Sequence, residues 1–381
     1  MKAWPTRQIG DLLSRVKDDI WIGDTTTYSR ITIRMAGNGV SLRDRVIGAE
    51  IGTKRQFIVR SGQFVLSKID ARNGAFGIIP DDCNNAIITG NFWVFDVDRE
   101  KLDSRFFSYL SKSPAFVAAC ITASDGTTNR RYLQEDTFLK MEVPLPPLAE
   151  QQSLVARLDA LAEKTRQIAA HLDAAERDAE NLLRSYIFHP SDGATRKRPM
   201  SELLLQRQPD VFVDGTTQYC FAGVYSFGRG VFASVVKNGS EFAYERLSTV
   251  RTGNFTYPKL MAWEGALGVV PAECDGMVVS PEFPVFSVKT NEVLPEVLDI
   301  YFRTPQVWPE LAELSGGTNL RRRRLQPSAF LNYEMPVPPM AIQRKLRDLY
   351  HCTWALKAKH AAIRQANAAL LPATLERVFA Q

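Results

Sequence analysis

The chain has 381 residues, enough for two or three domains, and an ordinary globular composition, 45% hydrophobic and 23% charged. No apolar run approaches the roughly 18–20 residues a membrane helix needs, and Met1-Lys2-Ala3-Trp4-Pro5 lacks the apolar stretch of a signal peptide, so the expected location is cytoplasmic, with no membrane contact. A net charge of +5 permits nucleic acid without demanding it, and five scattered cysteines (Cys83, Cys120, Cys220, Cys274, Cys352) form no close-spaced metal or redox motif and read as reduced thiols.

Residues 1–147 alternate short apolar runs with turn signals. Phe57-Ile58-Val59, Phe64-Val65-Leu66 and Phe92-Trp93-Val94-Phe95, bounded by Gly, Asn and Asp, predict strands. Leu102 to Ala119 predicts a helix interrupted at Pro114, so this is a mixed α/β domain. Pro144, Pro146 and Pro147 then form a stiff extended segment.

A long helix is expected over residues 148–188. Leu154, Leu161, Ile168, Ala175 and Leu182 recur every seventh residue, with Leu158, Thr165, Leu172, Ala179 and Tyr186 as the second set, which is a coiled-coil seam. Such a helix would be roughly 60 Å long and must bury its stripe on something. Phe188 to Pro199 follows; its Pro, Gly, Ser and the run Arg196-Lys197-Arg198 read as an exposed, solvated linker.

The chain then repeats itself. With a shift of 191, Val59-Arg60 falls on Val250-Arg251, Lys68 on Lys259, Gly74-Ala75 on Gly265-Ala266, Cys83 on Cys274, and Phe92 and Phe95 on Phe283 and Phe286. Met141 to Gln151 returns as Tyr333 to Gln343. The unit exceeds a solenoid repeat of about 20–50 residues, so this is a duplicated domain. A second mixed domain is expected over 189–338 and a second long helix over 339–381. That helix carries Ile342, Leu349, Leu356, Ile363 and Leu370 in one set and Leu346, Thr353, His360, Asn367 and Thr374 in the other. Polar residues in such a seam fix register and partner choice at a cost in stability, so His360 and Asn367 read as register devices or as contacts to another subunit rather than as chemistry.

Catalytic constellations are not found. The double prolines lack the leading Asn or Asp of an adenine methyltransferase tetrad, and Walker, zinc and nucleophile-elbow patterns are missing. Phe227-Gly228-Arg229-Gly230 faintly matches a cofactor loop, but its glycine pair has counterparts at Gly37 and Gly39, so a turn explains it better. What stands out is a basic Gly-Thr turn before each proline segment. Ser124 to Arg131 carries Thr128, Asn129, Arg130 and Arg131; Ser315 to Arg324 carries Asn319, Arg321, Arg322 and Arg323. Small residues let the backbone approach a phosphate, and Arg supplies bidentate bonds to phosphate or guanine. Lys68 and Lys259 follow equivalent strands as candidate phosphate contacts or surface lysines. These ten residues are the candidate DNA-binding set; the candidate catalytic and metal sets are empty.

Val143-Pro144-Leu145-Pro146-Pro147-Leu148-Ala149-Glu150-Gln151-Gln152 before a long helix resembles the junction in specificity subunits of type I restriction-modification systems. Gly126-Thr127-Thr128, and Lys68-Ile69 leading to Gly74-Ala75-Phe76-Gly77, resemble that family's target-recognition domains. The resemblance runs over nearly the whole chain; the second junction departs, with Ile342-Gln343-Arg344 for Glu-Gln-Gln, which puts that helix's subunit contacts in question. It implies an α+β fold: two homologous mixed α/β target-recognition domains, separated by two long antiparallel coiled-coil helices, with a pseudo-two-fold internal repeat.

The implied function is non-catalytic reading of a bipartite duplex DNA target, with adenine-N6 methyltransferase subunits (two) and restriction/translocase subunits as partners. S-adenosylmethionine and ATP then belong to those partners, and no cofactor is expected here. The alternatives are a specificity subunit of another methylation-linked defence complex, a stand-alone DNA-binding protein or nuclease, and a helical adaptor without a DNA role.

Overall fold

The structure is a computed structural model, describing residues 4–126, 131–190, 193–317 and 323–379. It divides into two compact units, Met1–Ala170 with Ala362–Gln381, and His171–Ala361. Among the described residues no helix is long and apolar enough to cross a membrane.

In the first unit, Leu13–Val16, Phe92–Val97, Phe64–Ser67 and Phe76–Ile78 form a four-stranded sheet in that order. Aromatic residues suit its pleated, half-buried surface, and Phe64, Phe76 and Phe95 are fully buried beneath the helices Ser104–Ser111 and Pro114–Thr122. The break between these helices lies where Pro114 predicts it. Proline occupies the first turn of the second helix, and the Ser113 hydroxyl caps it by accepting from the Phe116 N–H at 3.3 Å. A five-stranded sheet runs Asp19–Trp21, Arg55–Val59, Ala86–Ile88, Thr27–Ile33, Val40–Ile47.

The second unit repeats this pattern. Its four-stranded sheet runs Leu204–Gln206, Val285–Val288, Phe255–Thr256, Gly268–Val269. Its five-stranded sheet runs Val211–Phe212, Arg246–Thr249, Val278–Val279, Gln218–Tyr225, Gly230–Asn238. Register also agrees: Arg15 faces Phe95 as Gln206 faces Phe286, and the parallel pair Arg30–Ile87 corresponds to Phe221–Val278. The glycine pairs at 37/39 and 228/230 have positive φ in turns between strands, as the turn reading requires.

The linker reading fails at Arg196-Lys197-Arg198. Arg196–Pro199 is a strand, paired with Glu334–Val337 as Thr6–Gln8 pairs with Glu142–Pro144. Arg198 bonds Glu202 at 2.8 Å and Glu292 at 2.7 Å. Backbone pairing between residues so far apart in sequence (Arg198 with Met335 among the pairs) is invisible to local composition.

The long helices are Leu148–Phe188 and Met340–Phe379. Within each unit their segments run antiparallel. In the second unit Glu176 meets His360 at 2.9 Å and Glu180 meets Lys357 at 2.6 Å. In the first, the Asn367 amide donates to the Thr165 carbonyl at 2.8 Å. The seam is turned by one residue from the expected one. Val155, Ala162, Ala169, Glu176 and Leu183 face inward beside the Leu158 set, while Ile168, Ala175 and Leu182 are exposed. In the second helix Gln343, Tyr350, Lys357, Arg364 and Leu371 take the inner places, and Ile363 and Leu370 are exposed. The physical reason is that polar seam positions here are satisfied as cross-helix pairs, so apolarity does not mark the inside.

One residue welds each helix to its domain. The Gln151 amide nitrogen donates to the carbonyls of Pro146 and Lys101 at 2.8 and 2.9 Å, and its oxygen accepts from the Asp103 N–H at 2.8 Å. Gln343 makes the same three bonds, to Pro338, Glu292 and the Leu294 N–H, at 2.9, 3.1 and 2.8 Å. Both side chains are fully buried. The departure at the second junction therefore spares the residue that joins helix to domain.

Candidate nucleic-acid interface

Each basic loop has a core-anchored root. In the first unit Ser124–Asp125 pairs with Tyr132–Leu133, and the Ser124 hydroxyl donates to the Cys120 carbonyl at 2.7 Å. In the second, Gly316 bridges Arg324 and the Ser315 hydroxyl donates to the Leu311 carbonyl at 2.7 Å. Leu133 and Leu325, at the loop exits, are buried. Their N–H groups donate to the carbonyls of Lys68 and Lys259 at 2.8 and 2.9 Å. The two lysines that follow equivalent strands thus clasp the two basic loops through their backbones.

Thr128, Asn129, Arg130, Asn319, Arg321 and Arg322 lie outside the described residues. Arg131 and Arg323 are half-buried at the loop exits, and the Arg131 Nε is buried without a hydrogen-bond partner among the described residues. Arg324, the last of its run, is tied to Glu282 at 2.6 Å.

The lysine side chains differ. Lys259 Nζ donates to the Pro281 carbonyl at 3.0 Å. Lys68 Nζ stands 6.0 Å from the centre of the Trp93 ring, in a cleft of about 620 Å³. Arg15, Lys17, Arg55 and Lys68 line this cleft with Phe57, Phe92 and Trp93, and Glu135 is the one acid among its described lining residues. Arg15 lies 5.6 Å from the Trp93 centroid and 5.4 Å from that of Phe95, with Glu135 at 3.1 Å. Burial pulls its guanidinium below the ordinary value, and Glu135 opposes the shift. Cations clustered beside aromatic faces can form an electrostatic footprint for an anionic polymer.

Arg15, Lys17 and Arg55 were missed by the sequence reading because no run contains them. The one available signal was the alternation Arg15, Lys17, which in extended backbone puts both on one face, although the strand itself ends at Val16.

Residues 1–176 match the family model for the type I restriction modification DNA specificity domain. The match covers a little under half of this chain and agrees with the resemblance carried by the proline junction. The type I restriction enzyme MjaVIII specificity subunit of Methanocaldococcus jannaschii is 30% identical over 134 residues, a match spanning 34% of this chain and 31% of that relative. The chain thus matches about a third of that relative's length. Two solved structures share the fold over 99% of this chain and 96% of theirs. One is the HsdS subunit from Thermoanaerobacter tengcongensis, 19% identical with a TM-score of 0.56. The other, 18% identical with a TM-score of 0.63, comes from work on complex assembly and conformational transition of the type I R-M system. The mixed α/β architecture with a 41-residue helix and two sheet-rich halves is that of HsdS structures.

Proposed function

We propose that this chain is the DNA-reading subunit of a type I restriction-modification complex. Residues 1–147 and 189–338 act as target-recognition domains, and 148–188 and 339–381 as spacer helices. Each recognition domain reads one half of a bipartite target. The observation that carries this is the duplicated loop clasp: two domains of one topology present a basic Gly-Thr loop, held at its root by the same backbone bond from Leu133 or Leu325. Duplicated readers require half-sites whose spacing mirrors the protein's geometry. The candidate contacts are Lys68, Thr128, Asn129, Arg130 and Arg131 in one copy, and Lys259, Asn319, Arg321, Arg322 and Arg323 in the other. The cleft residues Arg15, Lys17 and Arg55 join them.

The chain is read as non-catalytic, with methyl transfer, cleavage and their cofactors belonging to partner subunits in the cytoplasm. Outward-facing apolar residues support docking of two methyltransferase subunits on the helices: Ile168, Ile363 and Leu370 in the first unit, Leu182 and Trp354 in the second. Large apolar side chains left exposed on an otherwise paired helix face mark an interaction surface.

Co-expression with the methyltransferase subunit, followed by mapping of N6-methyladenine in host DNA, tests the reading. A split motif with an unread spacer is expected, and its spacer lengthens when one heptad is inserted into both helices. A contiguous motif overturns the bipartite assignment.

A further inference from the structure

The five-stranded sheets share a feature that the basic loops do not explain. Trp21 ends the strand Asp19–Trp21 with 74% of its surface exposed, and Phe212 ends the equivalent strand with 72% exposed. Each is the register partner of an exposed arginine: Trp21 of Arg55, Phe212 of Arg246. Register partners in an antiparallel pair share a face. In the second unit the guanidinium lies 4.3 Å from the Phe212 centroid. Leaving a ring this open forfeits the burial that normally stabilises an aromatic side chain.

The exposure is built into the fold rather than left to a loose turn. Ile22 and Val213, each next after the aromatic residue, donate their N–H groups to the carbonyls of Lys54 and Glu245 at 2.8 and 3.0 Å. The hydroxyls of Tyr28 and Tyr219 accept from the N–H groups of Gly23 and Asp214 at 3.0 and 2.8 Å. Gly48 and Gly239 seat the same turns: a Cβ there would stand 2.0 Å from the Gly23 carbonyl oxygen and 2.1 Å from that of Asp214. Both copies hold the ring out in the same way.

We propose that Trp21–Arg55 and Phe212–Arg246 are a pair of equivalent clamps on the sugar-phosphate backbone of duplex DNA. The assignment rests on the DNA-reading function above. Charge selects the partner: Arg55, 3.5 Å from Asp19, lines the same cleft as Arg15, Lys17 and Lys68, where the described lining holds four cations and one acid, Glu135. The repeat selects the part of the DNA contacted. The cleft cations Arg15 and Lys17 become Gln206 and Gln208 in the second copy, whereas the aromatic and arginine remain. What two domains with different charge patterns keep in common suits what every half-site has in common, a deoxyribose face for the ring and a phosphate for the guanidinium.

The test uses the full chain and fluorescein-labelled random-sequence duplex DNA, with affinity measured across a salt series. Trp21→Ala with Phe212→Ala is expected to weaken binding about tenfold with an unchanged salt slope, since a ring releases no counterions. Arg55→Ala with Arg246→Ala is expected to lower the slope by about two. Trp21→Phe, which keeps a ring, binds as wild type, and all variants melt as wild type because the side chains are exposed. Wild-type affinity in the double aromatic variant overturns the clamp. So does unchanged DNA affinity with loss of a co-expressed methyltransferase subunit, which gives the surface to a protein. If the unsubstituted chain shows no salt-dependent binding, the DNA-reading function itself falls, a result distinct from either of these.

Discussion

In and just past the strand that opens each four-stranded sheet, Arg15 and Lys17 stand where the second copy has Gln206 and Gln208. The second copy has an arginine here too, Arg207, but one position along. A strand alternates its faces with a period of two, so that step turns the side chain to the other side. Arg207 is then spent inside its own domain, donating to the Thr249 carbonyl and Asn254 at 2.8 and 2.9 Å and pairing with Asp210 at 2.7 Å. Glu135, which balances Arg15, becomes Pro327. The first copy concentrates positive charge in a cleft; the second concentrates it in a run of four arginines at its loop. One fold can therefore present two charge patterns, as related but non-identical half-sites would require.

The copies are most alike where helix meets domain, so substitution there tests the likeness most severely. Gln151→Leu leaves the Asp103 N–H and the Lys101 and Pro146 carbonyls without their partner, and Gln343→Leu does the same to Leu294, Glu292 and Pro338. Buried groups left unsatisfied in this way cost about 3 kcal/mol. Urea unfolding of the two variants is expected to show similar losses. A variant that unfolds as wild type would show that its weld is dispensable and that the copies differ in how the helix is held.

The cleft gives the next effect in size. Arg15→Gln with Lys17→Gln gives the first copy the second copy's residues. Random-sequence DNA binding should weaken about tenfold at moderate salt and its salt slope should fall by up to two. The reverse exchange, Gln206→Arg with Gln208→Lys, should raise the slope. An unchanged slope in both would remove the cleft from the interface and leave the loops to carry the footprint.

Much of this was legible in the sequence because it is local or repeated. The break at Pro114, the strands around Phe64 and Phe95, and the long helices follow from residue type and period, and the fixed shift between copies exposes the duplication. The seam was displaced because Leu154, Val155 and Leu158 offer alternative apolar lines, and inner places go to Glu176, Glu180, Lys357 and His360, which pair across the helices. The cleft was hidden because Arg15, Arg55 and Lys68 are brought together only by strand pairing. Gln151 and Gln343 were in view as part of a motif, but two of the three bonds each makes reach residues about fifty positions earlier.

The smallest predicted effect separates stability from binding at the second loop. Arg324 and Glu282 pair at 2.6 Å with both side chains substantially exposed. A pair this open contributes at most about 1 kcal/mol, because water and salt screen it and two long side chains must be held still. Glu282→Gln should therefore shift the urea midpoint little. The guanidinium it releases sits at the exit of the Arg321–Arg324 run, where it adds a free charge. If that loop meets DNA, losing a bond from the fold should tighten DNA binding and steepen its salt dependence by up to one. Tighter binding separates a loop that engages phosphate from one that is merely solvated; in the latter case the substitution would leave both midpoint and affinity where they were.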